Sequence, residues 1–189
     1  MDELPTEHFE HAEHAKHVAE HGSPFLGIVA MSIAVLAVMA ATVGSLETLE
    51  SGAAISAKNE AILFQSKATD SWNFFQAKSI KKNMYEIAAA GGGPNQDEFT
   101  KQAKKNSDDS ISIQSQAKQA EDEAAASLGE GARHEQRHHI LTVAVTLLHV
   151  AIAIATISII TGGKLWPWRT SLALGAAGVI AAGAAYLIA

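Results

Sequence analysis

The chain has 189 residues, a mild net charge of −6, 48% hydrophobic residues and no cysteine. The absence of thiols excludes disulfides, zinc–thiolate sites and cysteine catalysis, and no basic stretch points to nucleic acid. The apolar residues are segregated into three uncharged runs, Phe25–Leu46, Ile140–Thr161 and Thr170–Ala189. Each is long enough to cross a hydrocarbon core of roughly 30 Å as a helix.

The remainder is too poor in large apolar residues for a conventional globular core. An all-α membrane protein follows as the expectation. It has three transmembrane helices and a long extramembrane antiparallel helical hairpin between spans one and two. Residues 1–23 form an acidic, His-rich tail, 24–46 the first span, 47–139 the hairpin with its turn at 90–95, and 140–161 the second span. An interfacial turn at 162–169 and the third span at 170–189 complete the chain.

The tail carries six acids against Lys16 alone, with histidines at 8, 11, 14, 17 and 21. A signal peptide needs a basic start and an early apolar run, and neither is present. Glu7, Glu10 and Glu13 each precede His11, His14 and His17 by four residues, a spacing at which side chains meet on a helix. His17 and His21 share that spacing. The set His11, His14, His17 and His21 is therefore a candidate ligand group for a divalent metal such as Zn, Ni or Cu. The competing reading is a solvated acidic helix whose charge changes as its histidines titrate. No other cofactor is expected.

Pro24 suits the first turn of span one. Along that span, small residues fall at Gly27, Ala30, Ala34, Ala37, Ala41 and Gly44, alternately three and four apart. Helices in lipid associate through close backbone approach, so this stripe reads as a packing seam within the chain or between copies. Thr48, Ser51, Ile55 and Ile62 continue the register, and the next proline is Pro94, so nothing stops the helix at the span's end. Glu47 and Glu50 follow at the boundary. In a symmetric oligomer they would form carboxylate rings at a channel mouth; otherwise they are ordinary interfacial charges.

Two helix-friendly arms, Glu47–Ala90 and Gln96–His139, flank the stop AAAGGGP. On the return arm, Ala103, Ser110, Ala117 and Ala124 recur every seven residues, as do Ile113, Ala120 and Ser127. Such an Ala-rich face packs closely but buries little apolar area, so partners are expected. Trp72, Phe74 and Phe75 sit too close in sequence to share one helix face. They are either a thick hairpin core or a protein–protein contact.

RHEQRHH (Arg133–His139) forms a basic collar suited to lipid phosphates. In span two, Thr142, Thr146, His149, Ala153 and Thr156 make one small and polar stripe. His149 is then either an ion-handling group or a neutral hydrogen bonder between helices. GGKLWPWR supplies a turn with Trp166 and Trp168 as interfacial anchors and Pro167 as a helix starter. Ser171, Gly175, Gly178, Ala182 and Ala185 line one face of span three. The hairpin holds 11 Lys and Arg against three on the other side, which favours a cytoplasmic hairpin.

The stretches TVGSLETLESGAAISAKNEAILFQSKATDSWNFFQAKSIKKNMYEIAA and RHHILTVAVTLLHVAIAIATISIITGGKLWPWRTSLALGAAG resemble a family of uncharacterised bacterial membrane proteins known only as a domain of unknown function. The resemblance implies a bacterial, multi-pass inner-membrane protein and brings no activity, substrate or site residues. From the residues, the leading expectation is a non-enzymatic homo-oligomeric scaffold in the lipid bilayer, built through the Gly/Ala seam and the coiled-coil-like hairpin, with no small-molecule substrate. Beside it stand a cation channel using Glu47, Glu50 and His149, and a metal-responsive protein using the tail. No nucleophile–base pair or phosphate loop suggests an enzyme.

Overall fold

The computed structural model describes residues 24–188. Among them are three helices and no strands: α1 (Pro24–Ala90), α2 (Gln96–Ile160) and α3 (Leu165–Ile188). Each contains a segment long and apolar enough to cross a membrane by length and composition. α1 runs 67 residues without a break, because after Pro24 no residue lacks an amide donor until Pro94. α2 passes through Gly129 and Gly131 uninterrupted for 65 residues. α3 begins at Leu165, ahead of the uncharged run, with Pro167 in its first turn, where a missing amide hydrogen leaves no bond unmade.

Glycines end the long helices. Gly92 and Gly93 take φ of 70° and 107°, and Gly162 and Gly163 take 71° and 88°. After α2, the Gly163 amide donates to the Ser158 carbonyl at 2.8 Å and the Gly162 amide to Ile159 at 3.1 Å, the paired bonds of a Schellman cap. The Ser158 hydroxyl adds a bond to the Lys164 carbonyl at 2.7 Å.

The chain divides into two compact units. In the first, residues 24–54 with 132–188, the core is built from Val29, Ile33, Leu36, Ala40 and Val43 of α1, Leu141, Leu148 and Ala155 of α2, and Ala185 of α3. The α1 residues alternate four and three apart, the spacing of one helix packing along another. α3 joins through its small face: Ser171, Gly175, Gly178 and Ala185 are all buried. A Cβ on Gly175 would stand 2.5 Å from Leu36 Cδ2, and one on Gly178 would stand 3.0 Å from the Ala144 carbonyl oxygen. The Trp168 ring packs edge-on against Phe25 at 5.6 Å and donates to Ser32 Oγ at 3.2 Å.

In the second unit, Ile55–Gly131, the buried residues are mostly alanine: Ala57, Ala61 and Ala68 of α1, and Ala103, Ile113, Ala117, Ala120 and Ala124 of α2. All seven return-arm positions singled out at heptad spacing are buried, including Ser110 and Ser127. An alanine buries a single methyl, about 0.8 kcal/mol against 1.5–3 for a leucine, so this seam is close-packed but thin. Polar and aromatic pairs supplement it. Trp72 Nε1 donates to Glu121 at 2.7 Å, Lys78 Nζ to Asp109 at 2.7 Å, and Tyr85 stacks on Phe99 at 6.2 Å. The Lys78 bond holds the Asp109 carboxyl below its ordinary pKa, with the charges of Lys78 and Lys105 acting the same way.

Candidate functional site at the carboxylate clasp

Beyond Val43, the last α1 residue of the first unit's core, stand Glu47 and Glu50. Both continue the four–three register of Ala40 and Val43, so α1 turns them toward α2. Glu50 is 8% exposed. His134 Nδ1 lies 2.6 Å from Glu50 Oε2, and Arg137 Nη1 lies 4.0 Å from Glu50 Oε1. Thr142 Oγ1 donates to Glu47 Oε1 at 2.6 Å, with His138 Nδ1 at 3.8 Å from the same oxygen. Tyr186, near the end of α3, couples to Glu50, and the Arg137 guanidinium lies over its ring at 5.5 Å. All three helices thus meet at Glu50, and each of the two carboxylates has an α2 donor within hydrogen-bond reach. Burial of a carboxylate is tolerable only with such partners.

These contacts tie α1 to α2. Among the described residues no group of three or more His, Asp or Glu side chains is arranged to hold a metal ion. His11, His14, His17 and His21 lie outside the described residues. His149, half-buried, is two turns along α2 from Thr142, about 10 Å at 1.5 Å per residue, so it does not join Glu47 and Glu50 in one cluster.

The Gly/Ala stripe runs along the edge of the chain's own core, which takes in two of its residues, Ala30 and Ala37. Ala30 and Ala37 are buried, Gly27, Ala34 and Gly44 are half-buried, and Ala41 is exposed; Ile55 and Ile62, further along the register, are 59% and 68% exposed. The core runs through Val29, Ile33, Leu36, Ala40 and Val43, one residue before the stripe at nearly every step. A Cβ on Gly27 or Gly44 would meet nothing within 4 Å. The α2 stripe is displaced in the same way: Thr142, Thr146 and Ala153 are exposed, one residue after the core positions Leu141, Val145 and Ile152. Thr146 and Thr156 return their hydroxyls to carbonyls of their own helix.

The aromatic cluster divides. Trp72 and Phe75 meet edge-on at 5.5 Å and are partly buried, whereas Phe74 is 54% exposed with Lys78 Nζ 5.4 Å from its ring.

Sequence reasoning located Glu47 and Glu50 but missed their partners. The signal was present for His134, His138 and Leu141, which continue the α2 heptad from Ala124 and Ser127. Tyr186 carried no such signal.

The described residues are thus all-helical, with three helices long and apolar enough to cross a membrane. The pattern of the family described as Domain of unknown function (DUF4337) matches residues 25–188, and the chain belongs to that family. Neither a curated protein nor a solved structure matches the chain.

Proposed function

We propose that the chain is a non-enzymatic integral membrane protein of the bacterial inner membrane that assembles with copies of itself into a scaffold. It crosses the bilayer three times, and the second unit is an extramembrane antiparallel hairpin on the cytoplasmic side.

The observation that carries the assembly is the displaced pair of stripes. Contacts between α1 and α2 in the first unit run in inverse order, Glu50 with His134 and Glu47 with Thr142. In such antiparallel neighbours, a one-residue step past the seam turns both helices toward the same side. Ala34 and Ala41 therefore share a face with Thr142, Thr146 and His149. α3 occupies the opposite flank, touching Leu36, Ala144, Leu147 and Ala151.

A lipid-facing surface favours large apolar side chains such as the exposed Ile28, Met31, Val35 and Val38. A face of small residues, hydroxyls and an imidazole gains from another helix instead, through close approach and exclusion of the imidazole from hydrocarbon. Glycines at positions 27 and 44 give no close approach within one chain and permit it between chains. The inward turn of Glu47 and Glu50 favours this scaffold over a pore lined by carboxylate rings.

The test is the mass of the full-length particle in a native-like bilayer disc. A closed oligomer of fixed number is expected, and Ala34→Leu with Ala41→Leu should reduce it to a monomer. A monomeric wild-type particle would refute the scaffold.

A further inference from the structure

We infer that Arg133 and Arg137, beside Tyr186, form a binding site for a phosphate group, supplied by the headgroup of an anionic phospholipid. The inference rests on the membrane-spanning reading above and does not depend on assembly.

The chemistry starts with Arg137. A guanidinium offers five N–H donors in a planar fork that matches phosphate oxygens. In this chain the Arg137 fork makes no hydrogen bond among the described residues. Its Nε is closed off from solvent without a partner, and its one ion-pair neighbour, Glu50 Oε1, is 4.0 Å away. Glu50 spends its short contact on His134, at 2.6 Å. The side chain keeps 27% of its surface open, so its outer nitrogens reach the exterior, and its Cζ lies 5.5 Å from the centre of the Tyr186 ring. A cation held in place with unfilled donors is preorganised for an anion.

Arg133 supplies the second charge. It is exposed, has no ion pair or hydrogen bond among the described residues, and stands one helical turn from Arg137. Two like charges at that spacing repel, and a shared anion removes the repulsion. Both lie on the flank of α2 that faces α3, so Arg133, Arg137 and Tyr186 are neighbours on one surface. Opposing them is Glu50, whose charge is turned inward to His134; Glu47 is engaged by Thr142.

Position selects the source. The uncharged run of α2 begins at Ile140, immediately after this pair, and Tyr186 closes the apolar run of α3. In a spanning helix, these side chains sit at the depth of lipid phosphates, where basic pockets between helices take anionic headgroups.

The experiment measures which lipids stay with the full-length protein. The protein is reconstituted in equimolar phosphatidylglycerol and phosphatidylcholine, extracted gently, and its retained lipid is read by native mass spectrometry. Enrichment of phosphatidylglycerol over the bulk ratio is expected, lost in Arg133→Gln/Arg137→Gln and weakened in Arg137→Lys, which keeps the charge but not the fork. Arg133→Gln alone removes an exposed side chain that the fold does not use. It should reduce the enrichment even if the double variant misfolds.

Inorganic phosphate binding to lipid-free protein in detergent, with the same arginine dependence and no lipid enrichment, would identify a free anion as the source and overturn the lipid assignment. Equal retention of the two lipids by wild type, or equal enrichment in wild type and variants, would overturn the site. Release of the protein from membranes by alkaline carbonate would refute the spanning reading itself, a separate failure.

Discussion

Replacing Gly178 with alanine places a methyl group where α3 approaches α2 most rigidly. The new Cβ would lie 3.0 Å from the Ala144 carbonyl oxygen, 3.0 Å from Leu148 Cγ and 3.4 Å from Leu147 Cβ. The first obstacle is backbone of a packed helix and has no rotamer to escape into. The two helices must therefore separate by a few tenths of an ångström, and contacts along the shared face weaken together.

Overpacking of this kind costs about 1–3 kcal/mol, while alanine recovers up to about 1 kcal/mol of helix propensity over glycine, so a net loss of roughly 0–2 kcal/mol is expected. Gly44→Ala meets no atom within 4 Å and keeps the propensity gain alone, which makes the single chain equal to wild type or more stable by up to about 1 kcal/mol. Gly175→Ala falls between them despite its shorter distance, because the atom it meets, Leu36 Cδ2, is the end of a side chain that can turn away. Unfolding in mixed micelles, followed by far-ultraviolet circular dichroism and by the fluorescence of Trp166 and Trp168, gives the order. A Gly178→Ala variant as stable as Gly44→Ala would refute the reasoning.

Three further outcomes follow from the second unit. Asp109, held low by Lys78, contributes stability above the ordinary aspartate range and loses it as pH falls through its depressed pKa. The melting temperatures of wild type and Asp109→Asn should therefore differ at neutral pH and converge on acidification. Gly93→Ala forces an L-residue to a φ of 107° and should cost at least about 1–2 kcal/mol in thermal melts, whereas Gly91→Ala, without a positive φ, should be nearly silent. Trp72→Phe removes a 2.7 Å bond to Glu121 but keeps an aromatic ring at the position, for a loss of about 1 kcal/mol, and Phe74→Ser should leave the stability of the single chain unchanged.

The sequence made some seams plain and hid others for a physical reason. In the return arm, Ala103, Ala117 and Ala124 stand out because lysines, glutamates and glutamines surround them, and contrast marks the buried face. The small face of α3 was readable through Gly175 and Gly178, which its neighbours crowd. In α1 the contrast vanishes. Val29, Ile33 and Leu36 suit a lipid face as well as a core, so hydropathy cannot rank the two. Small residues drew the seam to Ala34 and Ala41, one position past the core. The carboxylates were visible as boundary charges, but their inward turn depends on the phase of α1, and that phase is fixed by contacts distant in sequence.

That dependence also gives the clasp a use beyond holding helices together. α1 carries two faces able to pack, the core phase through Ile33 and Ala40 and the Gly/Ala phase one residue later, and both are smooth enough to slide. Rotation of α1 by one residue would bring the Gly/Ala stripe against α2 and swing Glu47 and Glu50 away from Thr142 and His134. A charged hydrogen bond is worth about 1.5–3 kcal/mol, and tenfold in population corresponds to about 1.4 kcal/mol, so two carboxylates suffice to select one phase. Buried polar groups fix helix register in this manner elsewhere. Glu47→Gln with Glu50→Gln keeps the shape of both side chains and removes the charge. In the cysteine-free chain, Ala40→Cys reports the core phase, since Ala40 is 1% exposed. Its thiol should be protected from a membrane-permeant maleimide in an otherwise wild-type chain and become reactive when both glutamates are neutralised. Protection that persists in the neutralised chain would mean that apolar packing alone sets the rotation of α1.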